Sequence, residues 1–382
     1  MDLEFSEEQR LLAQSARRFL ADNYDLPKRR ERIADAPGFD RELWAQMCEL
    51  GWLALRLPER LDGLGGGTVD CAVVMEAVGR ALAVEPLVQN MVFAAALLDR
   101  SGCKDTELAQ ALATGKTLMA IAHAEPRSRY ALNRVATRAE ASDSGYRITG
   151  SKAVAHFAGA ADKLILSART QGNDNDKHGI SLFIVDAGAA GLTVRDYPTV
   201  DGLRAADLSL EGVAVSTDAL LSPVNGGLEL LSTCMDEATV ALCAEAIGAM
   251  DYLHAATLEY TKNRKQFGLP IGKFQVIQHR LVDMYIALEL ARSMTLLAAA
   301  GMDNGSPQER ARLASTAKVK TGEAIRLIGQ DAVQLHGGMG MTDELDISHY
   351  FKRITMIDAT HGDVDFHLRR LVALQASDGL SH

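Results

Sequence analysis

Residues 331–342, Asp-Ala-Val-Gln-Leu-His-Gly-Gly-Met-Gly-Met-Thr, carry the pattern that decides the fold. A helical run ends there in Gly337, Gly338 and Gly340, with Gln334 and His336 one turn earlier. Glycines at such a point let a backbone approach a bulky anion, whose oxygens adjacent amides then bind. The same cluster would equally serve as a helix C-cap. Upstream, Asn263-Arg264-Lys265-Gln266-Phe267-Gly268 sets a cation and an aromatic ring at a second turn. A fixed guanidinium and close backbone amides both suit an anionic ligand.

Outward from this segment the chain reads as helix. Val240, Cys243, Ile247 and Met250 recur at helical spacing, and Phe274, Ile277, Leu281, Met284 and Leu288 keep a similar stripe. Residues 223–382 are therefore predicted to form a four-helix bundle. Before it, Thr117–His123, Tyr146–Ile148, Lys163–Ala168, Ser181–Val185, Gly191–Val194 and Leu208–Leu210 are short, apolar or alternating. Turn-rich stretches such as Gln171–Asp176 separate them, so residues 117–222 are predicted to form an antiparallel, barrel-like β domain. Residues 1–116 read as all-α, opened by a capping box at Ser6-Glu7-Glu8-Gln9, with helices through about Ala21, over Leu43–Leu55 and over Val69–Ala83. The fold class is α+β, in the order helical, β, helical.

At 382 residues and 47% hydrophobic the chain can bury a large core. Its net charge of −10 gives no electrostatic support for nucleic acid or an anionic membrane as partner. Cys48, Cys71, Cys103, Cys234 and Cys243 form no C-x-x-C pair and read as buried thiols in a reducing compartment. No metal site is expected. No signal sequence and no membrane-spanning run are apparent, which predicts a cytoplasmic protein.

Three groups of residues then carry a resemblance to the acyl-CoA dehydrogenase family over essentially the whole chain. These are Leu57-Pro58-Glu59…Gly63…Gly65 with Asp70 and Glu76, Arg264-x-x-Phe267-Gly268 with Phe274-Gln275, and Gln334-x-x-Gly337-Gly338-x-Gly340. The resemblance implies the acyl-CoA dehydrogenase fold, FAD as cofactor, an acyl-CoA substrate and electron-transfer flavoprotein as acceptor. It also implies that Arg264, Phe267, Phe274, Gln275, Gln334, Gly337 and Gly338 reach a neighbouring subunit's FAD. Without the motif, Arg264 would read as a surface cation near a helix end.

Family positions elsewhere are altered. The α-proton is usually taken by a glutamate in a Glu-Gly-Thr pattern, whereas this chain has Thr360-His361-Gly362-Asp363. A neutral imidazole at His361 can accept a proton in principle, or it can simply fill the space. Some relatives carry the base on the first C-terminal helix, at the position of Ala238; Glu237 is its neighbour, rotated by about 100°. Thr-Glu-Pro-x-x-Gly-Ser-Asp is replaced by Ala124-Glu125-Pro126-Arg127-Ser128-Arg129-Tyr130, and Lys-x-Trp-Ile-Ser/Thr by Lys152-Ala153-Val154-Ala155-His156. Asp363 and Asp365 stand where neutral residues usually approach the FAD, and carboxylates there would repel a diphosphate.

This imbalance resembles the small subunits of heterotetrameric acyl-CoA dehydrogenases, such as that of pimeloyl-CoA dehydrogenase. It implies a paralogous partner in an α2β2 assembly. Two alternatives remain: a homotetramer with Glu237 as base, and a flavin monooxygenase in which His361 donates to a peroxyflavin.

Overall fold

A computed structural model describes residues 5–379. The helices α1 (Glu7–Asn23), α2 (Leu26–Ala34), α3 (Arg41–Glu49), α4 (Thr68–Ala81), α5 (Ala95–Arg100) and α6 (Thr106–Ala113) come first. A π-helical stretch, Val88–Ala94, runs into α5. Seven strands follow: β1 (Met119–Ala122), β2 (Arg138–Ser142), β3 (Gly145–His156), β4 (Lys163–Arg169), β5 (Ile180–Asp186), β6 (Leu192–Pro198) and β7 (Arg204–Ser216). The remainder is α7 (Gly227–Asn263), the hairpin β8 (Lys265–Gln266) and β9 (Leu269–Pro270), then α8 (Gln275–Met302), α9 (Pro307–His336), α10 (Asp346–Ala359) and α11 (Val364–Gly379). This is an α+β fold in the expected order helical, β, helical. Among the described residues no helix is long and apolar enough to cross a membrane.

The chain divides into two compact units. One holds residues up to Arg30, Thr68–Ala83 and Thr239 onward; the other holds Glu31–Gly67 and Val84–Ala238.

In the first unit, α1 begins where the capping box predicts. The Ser6 hydroxyl accepts from the Gln9 amide, and the Gln9 side chain accepts from the Ser6 amide. Helices α4 and α7 then meet backbone to backbone. A Cβ on Gly79 would overlap the Glu245 carbonyl oxygen, and one on Gly248 would overlap that of Glu76. Glycine at both positions is what permits the approach. Beside this crossing, Arg353 on α10 donates to both Glu245 carboxylate oxygens, at 2.6 and 2.8 Å.

Every residue from Cys234 to Met250 is buried, so the predicted stripe marks only part of what α7 hides. On α8, Leu281, Met284 and Leu288 are buried as their spacing predicts. The same helix leaves Val276, Val282, Tyr285, Ile286 and Leu290 more than half exposed.

The second unit is built on a seven-stranded sheet of order β1-β4-β2-β3-β7-β6, with β5 on β4. Most pairs are antiparallel, but β1 lies parallel to β4, from Met119 opposite Lys163 to Ala122 opposite Leu166. Strands β3 and β7 run well beyond the short apolar cores that mark them in sequence. Their polar residues break the alternation, and long-range pairing extends them anyway. Strand β2, Arg-Ala-Glu-Ala-Ser, carries no apolar signal; the turn into Gly145 folds it back on β3 in register. The helix expected through Leu55 stops at Glu49, where Gly51 takes a φ of +80°.

Candidate functional site

At one end of the first unit, the two segments singled out by sequence come together. Helix α9 closes at Gly337 with φ +63°, and Gly337–Met341 make a 3-10 turn. His336 is buried; its Nδ1 pairs with the Ala332 carbonyl at 2.8 Å, and its ring lies 4.3 Å from that of Tyr260 on α7. Three residues beyond that tyrosine α7 ends, and the Arg264 amide donates to the Tyr260 carbonyl. The β8–β9 hairpin puts Phe267 at φ +54° and leaves it 91% exposed, edge-on to Phe274. Arg280 on α8 donates to Asp331 on α9 at 2.8 Å, tying these helices just before the glycine turn.

Arg264, Gln275, Gln334, Gly337 and Gly338 are exposed. Among the described residues no carboxylate pairs with Arg264. A Cβ built on Gly338 meets nothing within 4 Å, and Gly338 has no positive φ. Among the described residues nothing therefore requires glycine there. Exposed glycine amides and a guanidinium without a carboxylate partner are groups that suit the diphosphate of a dinucleotide.

The turn bearing His361 is also in the first unit. His361 takes φ +60°, and its carbonyl pairs with Nε2 of His367 at 3.2 Å. Buried Lys318 donates to the Asp358 and Gly362 carbonyls, at 2.7 and 2.6 Å, bracketing the histidine. Asp363 accepts from the Phe366 amide at 2.8 Å, so its carboxylate caps α11. Burial, reinforced by the Lys318 and Arg370 charges, pushes His367 down to about 3.

In the second unit, Glu237 has a fully buried side chain. Arg56 Nε donates to one carboxylate oxygen at 3.1 Å, and Arg100 Nε to the other at 2.5 Å. Asp99 bridges Arg56 and Arg60, at 3.1 and 2.9 Å. Both oxygens of this fully buried carboxylate therefore accept from guanidinium groups, as in a structural ion pair. The arginines lie 181 and 137 residues from Glu237 in sequence, and no local pattern announces either.

The polar residues around Glu125 are also occupied. Its carboxylate accepts from Lys152 Nζ at 2.8 Å, the Thr137 hydroxyl at 2.7 Å and the Ala136 amide at 2.7 Å. Ser128 closes back on the Glu125 backbone. Burial lowers Lys152 to about 8, against the opposing pull of Glu125. A register shift between Lys152 and Ala155 turns Val154 outward at φ +53°, 48% exposed. Donors committed in this way do not fit the polar edge of a flavin ring. The open clamp on the first unit does fit a dinucleotide diphosphate.

A helical–β–helical chain with such a clamp is a flavoprotein oxidoreductase in class. The chain belongs to the acyl-CoA dehydrogenase family: its N-terminal, middle and C-terminal domain models match residues 6–107, 120–213 and 225–374. The probable acyl-CoA dehydrogenase YngJ of Bacillus subtilis is 30% identical over 97% of this chain and 98% of its own length. Among solved structures, a variant of the Tcur3481–Tcur3483 steroid acyl-CoA dehydrogenase superposes with a TM-score of 0.87 at 29% identity. That match covers 98% of this chain and 99% of the other. The ChsE4–ChsE5 complex of Mycobacterium tuberculosis gives 0.88 at 26% identity, with the same coverage. Membership assigns FAD as the cofactor and dehydrogenation of an acyl-CoA thioester as the activity.

Proposed function

We propose that this chain is the base-lacking subunit of a heteromeric acyl-CoA dehydrogenase. It lends Arg264, Phe267, Phe274, Gln275, Gln334, Gly337 and Gly338 to the FAD of a paralogous partner. The observation that carries the reading is Gly338, an exposed glycine whose added Cβ would meet nothing within 4 Å among the described residues, together with Arg264, which pairs with no carboxylate among them. FAD, when bound, would supply the acceptor for the hydride lost from the substrate β-carbon. Arg264 and the glycine amides neutralise and orient its diphosphate. The α-proton is taken by a partner's carboxylate, since position 361 is a histidine whose turn is fixed by Lys318 and His367, and Glu237 is enclosed by arginines. The exposed apolar residues of α8 supply a surface for subunit contact. Both structural relatives named above are described as two-component assemblies, which supports a heteromer. Electron-transfer flavoprotein is the acceptor in this reading.

The test is co-purification with a paralogous acyl-CoA dehydrogenase subunit, followed by the visible spectrum and flavin stoichiometry. The chain alone should be colourless, the complex yellow, and Arg264→Ala should lower flavin content of the complex severalfold. A yellow, active protein obtained from this chain alone would overturn the proposal.

A further inference from the structure

Away from the clamp, the first unit contains a cleft of about 450 Å³ between the C-terminal ends of α1 and α4, the start of α2, and α7 and α10. That volume lies within the range of small-molecule sites, about 300–1,000 Å³. Buried Leu20 and Ala77 contribute apolar wall. Tyr252 and Tyr350 add a stacked aromatic pair, ring centroids 4.2 Å apart and 9° from parallel. Both phenols are committed, Tyr252 to the Asp346 carboxylate and Tyr350 to the Arg80 carbonyl, which fixes the rings.

Three guanidinium groups also line the cleft. Arg29 is 2% exposed and donates through Nε to the Leu82 carbonyl at 3.0 Å. Arg17 and Arg80 lie at the mouth, with 58% and 43% of their side chains exposed. Each commits one nitrogen, Arg17 to Glu76 and Arg80 to Asp251. A guanidinium has five N–H donors and no acceptor, so both retain donors for a further anion. The lining carboxylates are engaged: Asp346 accepts from Tyr252, and Asp25 from the Lys28 amide.

We propose that this cleft binds a small amphipathic carboxylate, with its apolar body between Leu20, Ala77 and the tyrosine pair and its carboxylate held by Arg17 and Arg80. Such a site is separate from the clamp at Gly338 and needs neither a partner subunit nor flavin.

Isothermal titration of the purified chain with 3-phenylpropionate, 3-phenylpropanamide and inorganic phosphate tests it. Saturable 1:1 binding of 3-phenylpropionate is expected, with the amide and phosphate each at least tenfold weaker. Arg17→Gln/Arg80→Gln changes only exposed side chains and should weaken binding at least tenfold. Ala21→Trp, at an exposed lining position, should abolish it by filling the cleft. Gly338→Val should leave it unchanged. No saturable binding at millimolar probe, equal binding of amide or phosphate, or loss in Gly338→Val alone would overturn the proposal.

Discussion

Replacing Glu237 by alanine separates a structural carboxylate from a catalytic one. Its side chain is fully buried, between Arg56 on the loop after α3 and Arg100 at the end of α5. Removing one partner of a buried ion pair costs about 3–5 kcal/mol, because the remaining charge stays buried without compensation. Here Arg56 keeps Asp99 at 3.1 Å, and the Arg100 side chain is 19% exposed and can reach water. The lower end, about 3 kcal/mol, is therefore expected. The chain's two tryptophans, Trp44 and Trp52, both lie in the second unit and are buried, so their fluorescence follows the unit that contains Glu237. With a urea dependence of about 2 kcal/mol per molar, the midpoint should fall by about 1.5 M. Glu237→Gln preserves volume and one acceptor oxygen and should lie between alanine and the native chain. An unmoved midpoint for Glu237→Ala, combined with lost turnover in the assembled enzyme, would refute the structural role and restore Glu237 as a base.

Gly338→Val should leave thermal unfolding of the chain unchanged, since its Cβ meets no atom of the chain, yet lower flavin occupancy when the chain is co-purified with a partner. Gly248→Ala should do the reverse. Its methyl would overlap the Glu76 carbonyl at the α4–α7 crossing, with a loss of about 1–3 kcal/mol or more seen by calorimetry. Acid should weaken the first unit through His367, whose value in the fold is depressed to about 3. Between about 6.5 and 3 the unfolded chain takes up a proton that the folded site refuses, so stability falls as pH drops through that window. His367→Asn should flatten this part of a pH series of melting temperatures measured by circular dichroism.

The fold was legible where a local pattern carries it. The Ser6–Gln9 box forms as written, the stripe of Leu281, Met284 and Leu288 is buried, and the β segments fall where alternation and turn residues put them. Strand β2 and the extensions of β3 and β7 were not legible, because pairing across the sheet, rather than apolar spacing, makes those residues extended. Lys152 shows why: a lysine within a strand reads as an exposed face until Glu125, 27 residues earlier, is seen to bury it.

By itself, the sequence determined the order helical, β, helical and marked the two segments, Arg264–Gly268 and Gln334–Gly340. Glycine, arginine and aromatic residues at fixed offsets impose backbone and donor requirements that need no distant partner to be read. Only the tertiary structure showed what surrounds the candidate carboxylate. Glu237 is enclosed because Arg56 and Arg100 converge on it from far along the chain. It likewise decided that Gly338 is open, since what a missing side chain would touch depends on every element around it.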